Sequence, residues 1–399
     1  MFSRQRKIGI VLRSAALLGL AFSLLLALGG TSRLLAAEPI KIGVVLCITG
    51  WGGPLGTPGK EAITIVAEDI NRRGGVLGRQ IELYIEDDQS NPTNAALAAT
   101  KLIRDKNVAA VIGSNLTVFC MPMLPIFERE QVPNITLGAG HENTDPLRKW
   151  VFRIPLTDYR LAPRMLKFTA ETLGARKIAL LYSSDASGMM GAKAILDNAG
   201  KFGATFVANE KFDPKDTNMI PQLAKIKAAN ADAIILYTSA APAAVVAKNY
   251  QQLGLKMPVI ASHGIPTPEF LNLAGKIVED GRWMLYGMKA MYAEQLPLDE
   301  PWRKNIYEPF KKSLKEKYGK PDITPFHANG HDAMYILAEA LKIAGTDDRA
   351  GLRNALEKVK YKGLLNAEFA YTSTDHDGQT GEAYEPLIRK DGKWWPYKK

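Results

Sequence analysis

The stretch INRRGGVLGRQIELYIEDDQSNP, residues 70–92, decides how this chain is organised. Gly74 and Gly75 end a helix, because glycine enters the left-handed region without a Cβ penalty. Val76-Leu77-Gly78-Arg79 then turns into residues 80–86, where Ile81, Leu83 and Ile85 alternate with polar neighbours at strand spacing. Asp87-Asp88-Gln89-Ser90-Asn91-Pro92 supplies helix-capping side chains before a helical run that starts at Thr93.

The same alternation extends to both sides. Strands are expected over 40–47, 80–86, 108–112 and 134–136, with helices over 60–73, 93–105 and 122–130. A second cycle places strands at 177–182, 205–211, 233–237 and 258–262, with helices at 191–201, 219–229 and 243–253. Strands alternating with helices of this length specify an α/β fold with parallel sheets and right-handed crossovers. Two such cycles suit two Rossmann-like lobes, and a chain of this length is long enough for both. Long amphipathic helices over 302–318 and 328–344 follow.

At the GGVLGR turn and the DDQSNP corner the chain resembles the periplasmic branched-chain amino-acid-binding (Leu/Ile/Val-binding) family, the type I solute receptors of ABC importers. The resemblance covers essentially all of the chain after residue 38 and is strongest over 40–160. It implies two lobes joined by three crossovers, near 153–158, 286–290 and 379–382. The first lobe would comprise 38–155 and 288–380, and the second 156–287 and 381–399. The late helices would return to the first lobe, and a last strand near 385–388 to the second.

Residues 1–37 have the order of a secretory signal. Arg4, Arg6, Lys7 and Arg13 precede the apolar run 15–28, and Leu35-Ala36-Ala37 offers a cleavage site before Glu38. A retained anchor is the alternative, but a core of about 14 residues is short for a spanning helix. The formal charge of +10 falls to +5 once Arg4, Arg6, Lys7, Arg13 and Arg33 are removed. No basic run or basic–aromatic stripe points to nucleic acid. Cys47 and Cys120 are the only cysteines. In an oxidising compartment they either pair or remain two buried thiols.

In open parallel sheets ligands bind beyond the carboxyl ends of the strands, so the candidate loops are 49–56, 113–120, 137–142, 183–190, 237–242 and 262–267. By resemblance, Thr117 stands where the family holds a carboxylate-binding serine, in a loop that opens toward a helix whose N–H groups favour an anion. A plain helix cap is the alternative for this residue. The loop Leu137-Gly138-Ala139-Gly140-His141 matches the family's next ligand loop, with Gly140 in place of a threonine. His263 falls where the family's amino-acid binders hold an acid for the ligand ammonium, and Ser187 replaces a tyrosine. A histidine cannot replace that anion, so an acid without an amino group fits better than an ordinary amino acid. Asp158 and Asp185 remain as alternative acids. Trp51 in the glycine-rich loop 49–53 joins Phe119, Met189, Met190 and Tyr237 as candidate apolar lining for a ring or branched chain.

Signals for catalysis are weak. Pro58 and Glu61 break a P-loop pattern around Gly50–Gly59, and neither G-x-G-x-x-G after the first strand nor G-x-S-x-G is present. His327 and His331 are four apart but lack the H-E-x-x-H glutamate. The expectation is therefore a monomeric, periplasmic, hinge-closing receptor for a small carboxylate-bearing ligand, aromatic or branched. It serves an ABC permease and has no enzyme activity, metal or cofactor. A true Leu/Ile/Val receptor, a hydrolase on the same frame and a ligand-sensing domain are the alternatives.

Overall fold

The computed structural model describes residues 37–320, 322–379 and 383–398. Apart from Ala37, the expected leader lies outside the described residues. Among them no helix is long and apolar enough to cross a membrane.

The chain opens with β1 (Ile40–Leu46), α1 (Gly53–Arg72), β2 (Ile81–Asp87), α2 (Pro92–Arg104) and β3 (Ala110–Gly113). A single turn α3 (Thr117–Cys120), α4 (Leu124–Glu130), β4 (Asn134–Thr136) and β5 (Val151–Arg153) follow. The five strands form one parallel sheet in the order β2-β1-β3-β4-β5. β1 is an interior strand, buried except at Lys41, which is why it reads as an apolar run rather than an alternation. The turn before β2 is tight: Val76 and Arg79 exchange backbone hydrogen bonds of 2.8 and 2.9 Å while Leu77 and Gly78 adopt positive φ. Gly75 (φ +80°) has no room for a side chain, since a Cβ there would lie 1.9 Å from the Arg79 carbonyl oxygen.

The second sheet is built from α5 (Asp158–Lys167), β6 (Lys177–Ser183), α6 (Ala186–Asn198), β7 (Thr205–Phe212), α7 (Ile220–Ala228) and β8 (Ala233–Tyr237). It continues through α8 (Ala240–Gln252), β9 (Val259–Ala261), α9 (Pro268–Ala274) and β10 (Trp283–Met288). Next come α10 (Glu308–Tyr318), α11 (Pro325–Ala344), α12 (Arg349–Leu356) and the small pair β11 (Lys360–Lys362) and β12 (Glu368–Ala370). The last strands are β13 (Tyr384–Lys390) and β14 (Lys393–Pro396). The second sheet runs β14-β13-β10-β9-β8-β6-β7, parallel from β10 to β7 and antiparallel at β13 and β14. The chain therefore leaves the first sheet after β5 and the second after β10. It re-enters the second at β13, through a stretch whose residues 380–382 lie outside the described residues.

α11 packs along α1. A Cβ on Gly330 would meet the Gly59 carbonyl oxygen at 2.6 Å, so this glycine lets the two helices cross closely. His327 and His331 both lie on α11 but face different partners. His327 Nε2 is 3.2 Å from Glu61 and His331 Nδ1 is 2.7 Å from Asp332, so the pair does not form a metal site. Among the described residues no group of three ligands could hold a metal ion.

Several helices begin earlier than the sequence pattern shows. α1 starts at Gly53 instead of 60 and takes in most of the glycine-rich loop, with Pro54 in its first turn and Pro58 inside. Proline is tolerated near a helix start, where few N–H groups have helical partners. Close approach selects the glycines: a Cβ on Gly56 would lie 2.0 Å from the Cys47 carbonyl oxygen. α6 starts at Ala186 instead of 191 because the Asp185 carboxylate accepts the Gly188 N–H at 2.8 Å. β5, β10, β11, β12 and β14 carry no strand signal strong enough to be expected, and β5 is only three residues long.

Candidate functional site

The acidic corner after β2 organises the loops that leave β1 and β3. The Asp87 carboxylate accepts N–H groups from Ile48 (2.9 Å), Thr49 (3.1 Å) and Gln89 (2.8 Å) and the Thr49 hydroxyl (2.6 Å). Burial would raise Asp87, but the Thr49 hydroxyl and these N–H groups outweigh it and hold the carboxyl below its usual range. The buried Asp88 accepts the Ser114 hydroxyl at 2.8 Å, and burial pushes its carboxyl up. Ser90 Oγ accepts the Gly52 N–H (2.9 Å) and donates to the Thr49 carbonyl (2.7 Å). Asn91 caps α2. One hexapeptide thus clamps two loop starts and caps one helix.

Beyond this clamp the structure brings Thr117, Gly138 and Gly140 together. Thr117 is the first residue of α3, whose N-cap is Leu116, so it is not a helix cap. Its Oγ1 accepts the Gly140 N–H at 2.8 Å, which leaves the hydroxyl hydrogen free to donate. A Cβ on Gly140 would lie 2.4 Å from Thr117 Cγ2, and one on Gly138 would lie 2.7 Å from Cys120 Sγ. The loop is held from behind by the fully buried Arg153 at the end of β5. Its guanidinium donates to the Gly140 carbonyl, to the Ala139 carbonyl (3.4 Å), to the Thr144 hydroxyl (2.5 Å) and to Asp377. Arg160 on α5 grips the same segment through Asp375 (2.5 Å) and the Gln379 carbonyl. Sequence reasoning missed both arginines, whose acidic partners Asp377 and Asp375 lie more than 200 positions away.

Trp51 is 67% exposed and its ring lies 5.5 Å from that of Phe119, which is buried beneath it. Cys47 and Cys120 are separate buried thiols. The Cys47 Sγ–H faces the Gly52 carbonyl and Asn115 Oδ1, both at 3.1 Å, and Cys120 Sγ–H faces the Ser114 carbonyl at 3.1 Å. Burial pushes each thiol up to about 12, which keeps both protonated and inert at neutral pH.

On the second sheet, the ring of Tyr237 packs under Gly191, and its hydroxyl donates to Asp158 at the start of α5. Tyr237 is thus a buried support rather than an open aromatic wall. Burial pushes the Asp158 carboxyl up to about 6, against the opposing pull of the Tyr237 hydroxyl and Arg153. Asp185 caps α6, which leaves Ser187 exposed in the first turn of that helix. His263 follows β9 with its ring 5.3 Å from that of Tyr384. The residue is half-buried overall, with its Nδ1 enclosed. Burial pushes it down to about 4, so it is neutral at pH 7, and Nδ1 has no partner. The His141 ring, beside the Gly138–Gly140 loop, lies tilted with its centroid 4.5 Å from that of Tyr159 in the first turn of α5.

The family profile described as periplasmic binding protein matches residues 39–384. The chain belongs to the periplasmic binding protein family, and within it to the branched-chain amino-acid-binding type. It is 26% identical over 329 residues to the leucine-, isoleucine-, valine-, threonine- and alanine-binding protein of Pseudomonas aeruginosa, covering 82% of this chain and 84% of that protein. Among solved structures it is similar to an extracellular ligand-binding receptor from Rhodopseudomonas palustris HaA2, with a TM-score of 0.78 and 29% identity over 90% of this chain and 99% of that one. A leucine-binding protein from Thermotoga maritima aligns with a TM-score of 0.74 and 25% identity over 90% of this chain and 98% of that one. The receptor family, the α/β type I fold and the solute-binding class inferred from residues 70–92 are those of this chain.

Proposed function

We propose that this chain is an exported, periplasmic receptor that captures a small organic acid lacking an α-ammonium and presents it to the membrane permease of an ABC importer. It is cleaved before Glu38, acts as a monomer and performs no catalysis. Residues 38–155 and 288–380 form one lobe and 156–287 and 381–399 the other, and closure of the lobes traps the ligand. The observation that carries the ligand class is His263. Where the family's amino-acid binders hold an acid, this chain holds a neutral imidazole, its Nδ1 enclosed, that cannot balance an ammonium. The free Thr117 hydroxyl hydrogen and the Gly138–Gly140 loop supply donors for a carboxylate. Trp51 over Phe119 supplies an apolar face suited to a ring or branched chain.

Asp158 favours a second reading, an amino-acid receptor. It is a buried carboxylate near the cleft, and the Pseudomonas and Thermotoga relatives bind amino acids by name. Calorimetry separates the two. Benzoate, 3-phenylpropanoate or 4-methylpentanoate should bind more tightly than leucine, isoleucine or valine. Thr117→Val should weaken that binding about ten-fold, as loss of a hydrogen bond to a charged group does. Submicromolar leucine binding that Asp158→Asn abolishes, with no response to the acids, would reverse the assignment.

A further inference from the structure

A chain of charged side chains ties the Gly138–Gly140 loop to the start of α5, and it begins at one peptide unit. The Gly140 N–H donates to Thr117 Oγ1 at 2.8 Å, while the carbonyl of the same unit, that of Ala139, accepts from Arg153 at 3.4 Å. The unit is trans, so its N–H and C=O point to opposite sides. It therefore stands between the proposed carboxylate side and Arg153. The fully buried guanidinium also donates to the Gly140 carbonyl, to the Thr144 hydroxyl at 2.5 Å and to Asp377. Asp377 accepts the Thr144 hydroxyl at 2.5 Å, and Arg160 Nε lies 3.4 Å from its other oxygen. Arg160, in the first turn of α5, holds Asp375 at 2.5 Å and the Gln379 carbonyl. Around this chain, the Arg153 N–H donates to the His376 carbonyl at 2.9 Å and Gln379 Nε2 to the Ile154 carbonyl at 3.2 Å. The passages that leave the first sheet after β5 and return toward β13 are thus bound side by side.

We infer that Arg153 and Arg160 are positioning residues that transmit a ligand's hold on the Gly138–Gly140 loop to α5, and so couple capture to closure. This rests on the receptor reading and deepens it, and it is the same for an organic acid and an amino acid. The reason lies in the shape of the guanidinium, whose donors share one rigid plane. Ala139, Gly140, Thr144 and Asp377 all bond to one such plane, so none of them shifts far without breaking a bond to it. Charge-assisted hydrogen bonds are roughly twice as strong as neutral ones, so the chain moves as a unit rather than slipping at one link. A ligand drawn to the loop amides pulls on the peptide unit whose other side Arg153 holds. Asp377 and Arg160 carry that displacement to the first helix of the second sheet.

The test separates affinity, closure and stability in the full mature protein. Benzoate, 3-phenylpropanoate, 4-methylpentanoate and leucine are titrated by calorimetry, and the tightest binder is carried at saturation into solution scattering. Arg160→Gln cuts the chain at α5, at a side chain 29% exposed, and leaves Arg153 paired with Asp377. Arg153→Lys keeps the buried charge but cannot span the loop and the acid together. Each should weaken binding about ten-fold, inside the range of roughly 5–150-fold usual for coupled sites. Each should also leave the radius of gyration at saturation closer to its ligand-free value than in the unaltered protein. A merely structural role would lower the urea midpoint and leave the contraction at saturation complete. Should Arg153→Lys fail to fold, Arg160→Gln alone decides. Full contraction in Arg160→Gln, whatever its affinity, would overturn the inference and leave the receptor reading standing. An unaltered protein that binds without contracting, or binds none of the four, would overturn both.

Discussion

At the residue scale, Thr117 and Gly140 compete for one volume. The Thr117 methyl and hydroxyl occupy the positions 2.4 and 2.5 Å from where a Cβ on residue 140 would sit. The hydroxyl missing at 140 is therefore coupled to the side chain present at 117. Gly140→Ala should destabilise the protein by about 1–3 kcal/mol through overpacking. Thr117→Ala in the same chain should restore part of that loss, and urea unfolding of the four variants in the cycle measures the coupling. Additive effects would show that the loop moves aside freely. Asp158 gives a second residue-scale test. Its carboxyl is raised in the folded state, so the folded chain binds its proton more tightly than the unfolded chain does. Its contribution to stability is therefore greatest below the ordinary pKa near 3.8 and declines as pH rises toward about 6. Asp158→Asn keeps an acceptor for Tyr237 without the buried charge. It should thus compare more favourably with the unaltered protein at pH 7 than at pH 4. A constant difference in unfolding free energy across that range would refute the buried-charge account.

At the scale of elements, the DDQSNP corner does more than start a helix. Asp87 and Ser90 hold the turn between β1 and α1, and Asp88 holds the loop after β3. Asp87→Ala leaves three backbone N–H groups without their acceptor and should cost about 2–3 kcal/mol. It should also weaken ligand binding, because Trp51 sits on the turn that loosens. The Asp87 carboxyl is depressed in the folded state, so its stabilisation is present above pH 3.8 and is lost as pH falls through the depressed value. Urea midpoints of variant and unaltered protein should accordingly converge in acid. A gap that persists undiminished at low pH would mean that the clamp does not depend on the ionised carboxylate.

At the scale of the whole molecule, two sheets are joined by three chain passages, and the proposed receptor function links closure to binding. Arg153 and Arg160 grip residues 375–379 from the ends of different elements, and His141 meets Tyr159 across the same seam. Solution scattering should show a smaller radius of gyration at saturating ligand, and an unchanged radius would count against hinge closure. How much of this was legible beforehand follows from the range of the forces involved. Periodicity and turn chemistry act over a few residues. The sequence by itself therefore determined the alternation of strands and helices, the Gly74–Gly75 stop, the DDQSNP corner and the receptor family. It also located the loops carrying Thr117, Gly138, Gly140 and His263. It placed the starts of α1 and α6 too late, because close packing of Gly56 and Gly188 against neighbouring carbonyls overrides the low helix propensity of glycine. Only the tertiary structure decided that Cys47 and Cys120 stay apart, that Tyr237 is committed to Asp158 and that Arg153 stands behind the Gly138–Gly140 loop. It alone also left Asn115 Nδ2, Thr238 Oγ1 and His263 Nδ1 without hydrogen-bond partners. Each of these depends on which distant groups share a buried space, and burial sets both the pKa and the cost of an unmade hydrogen bond.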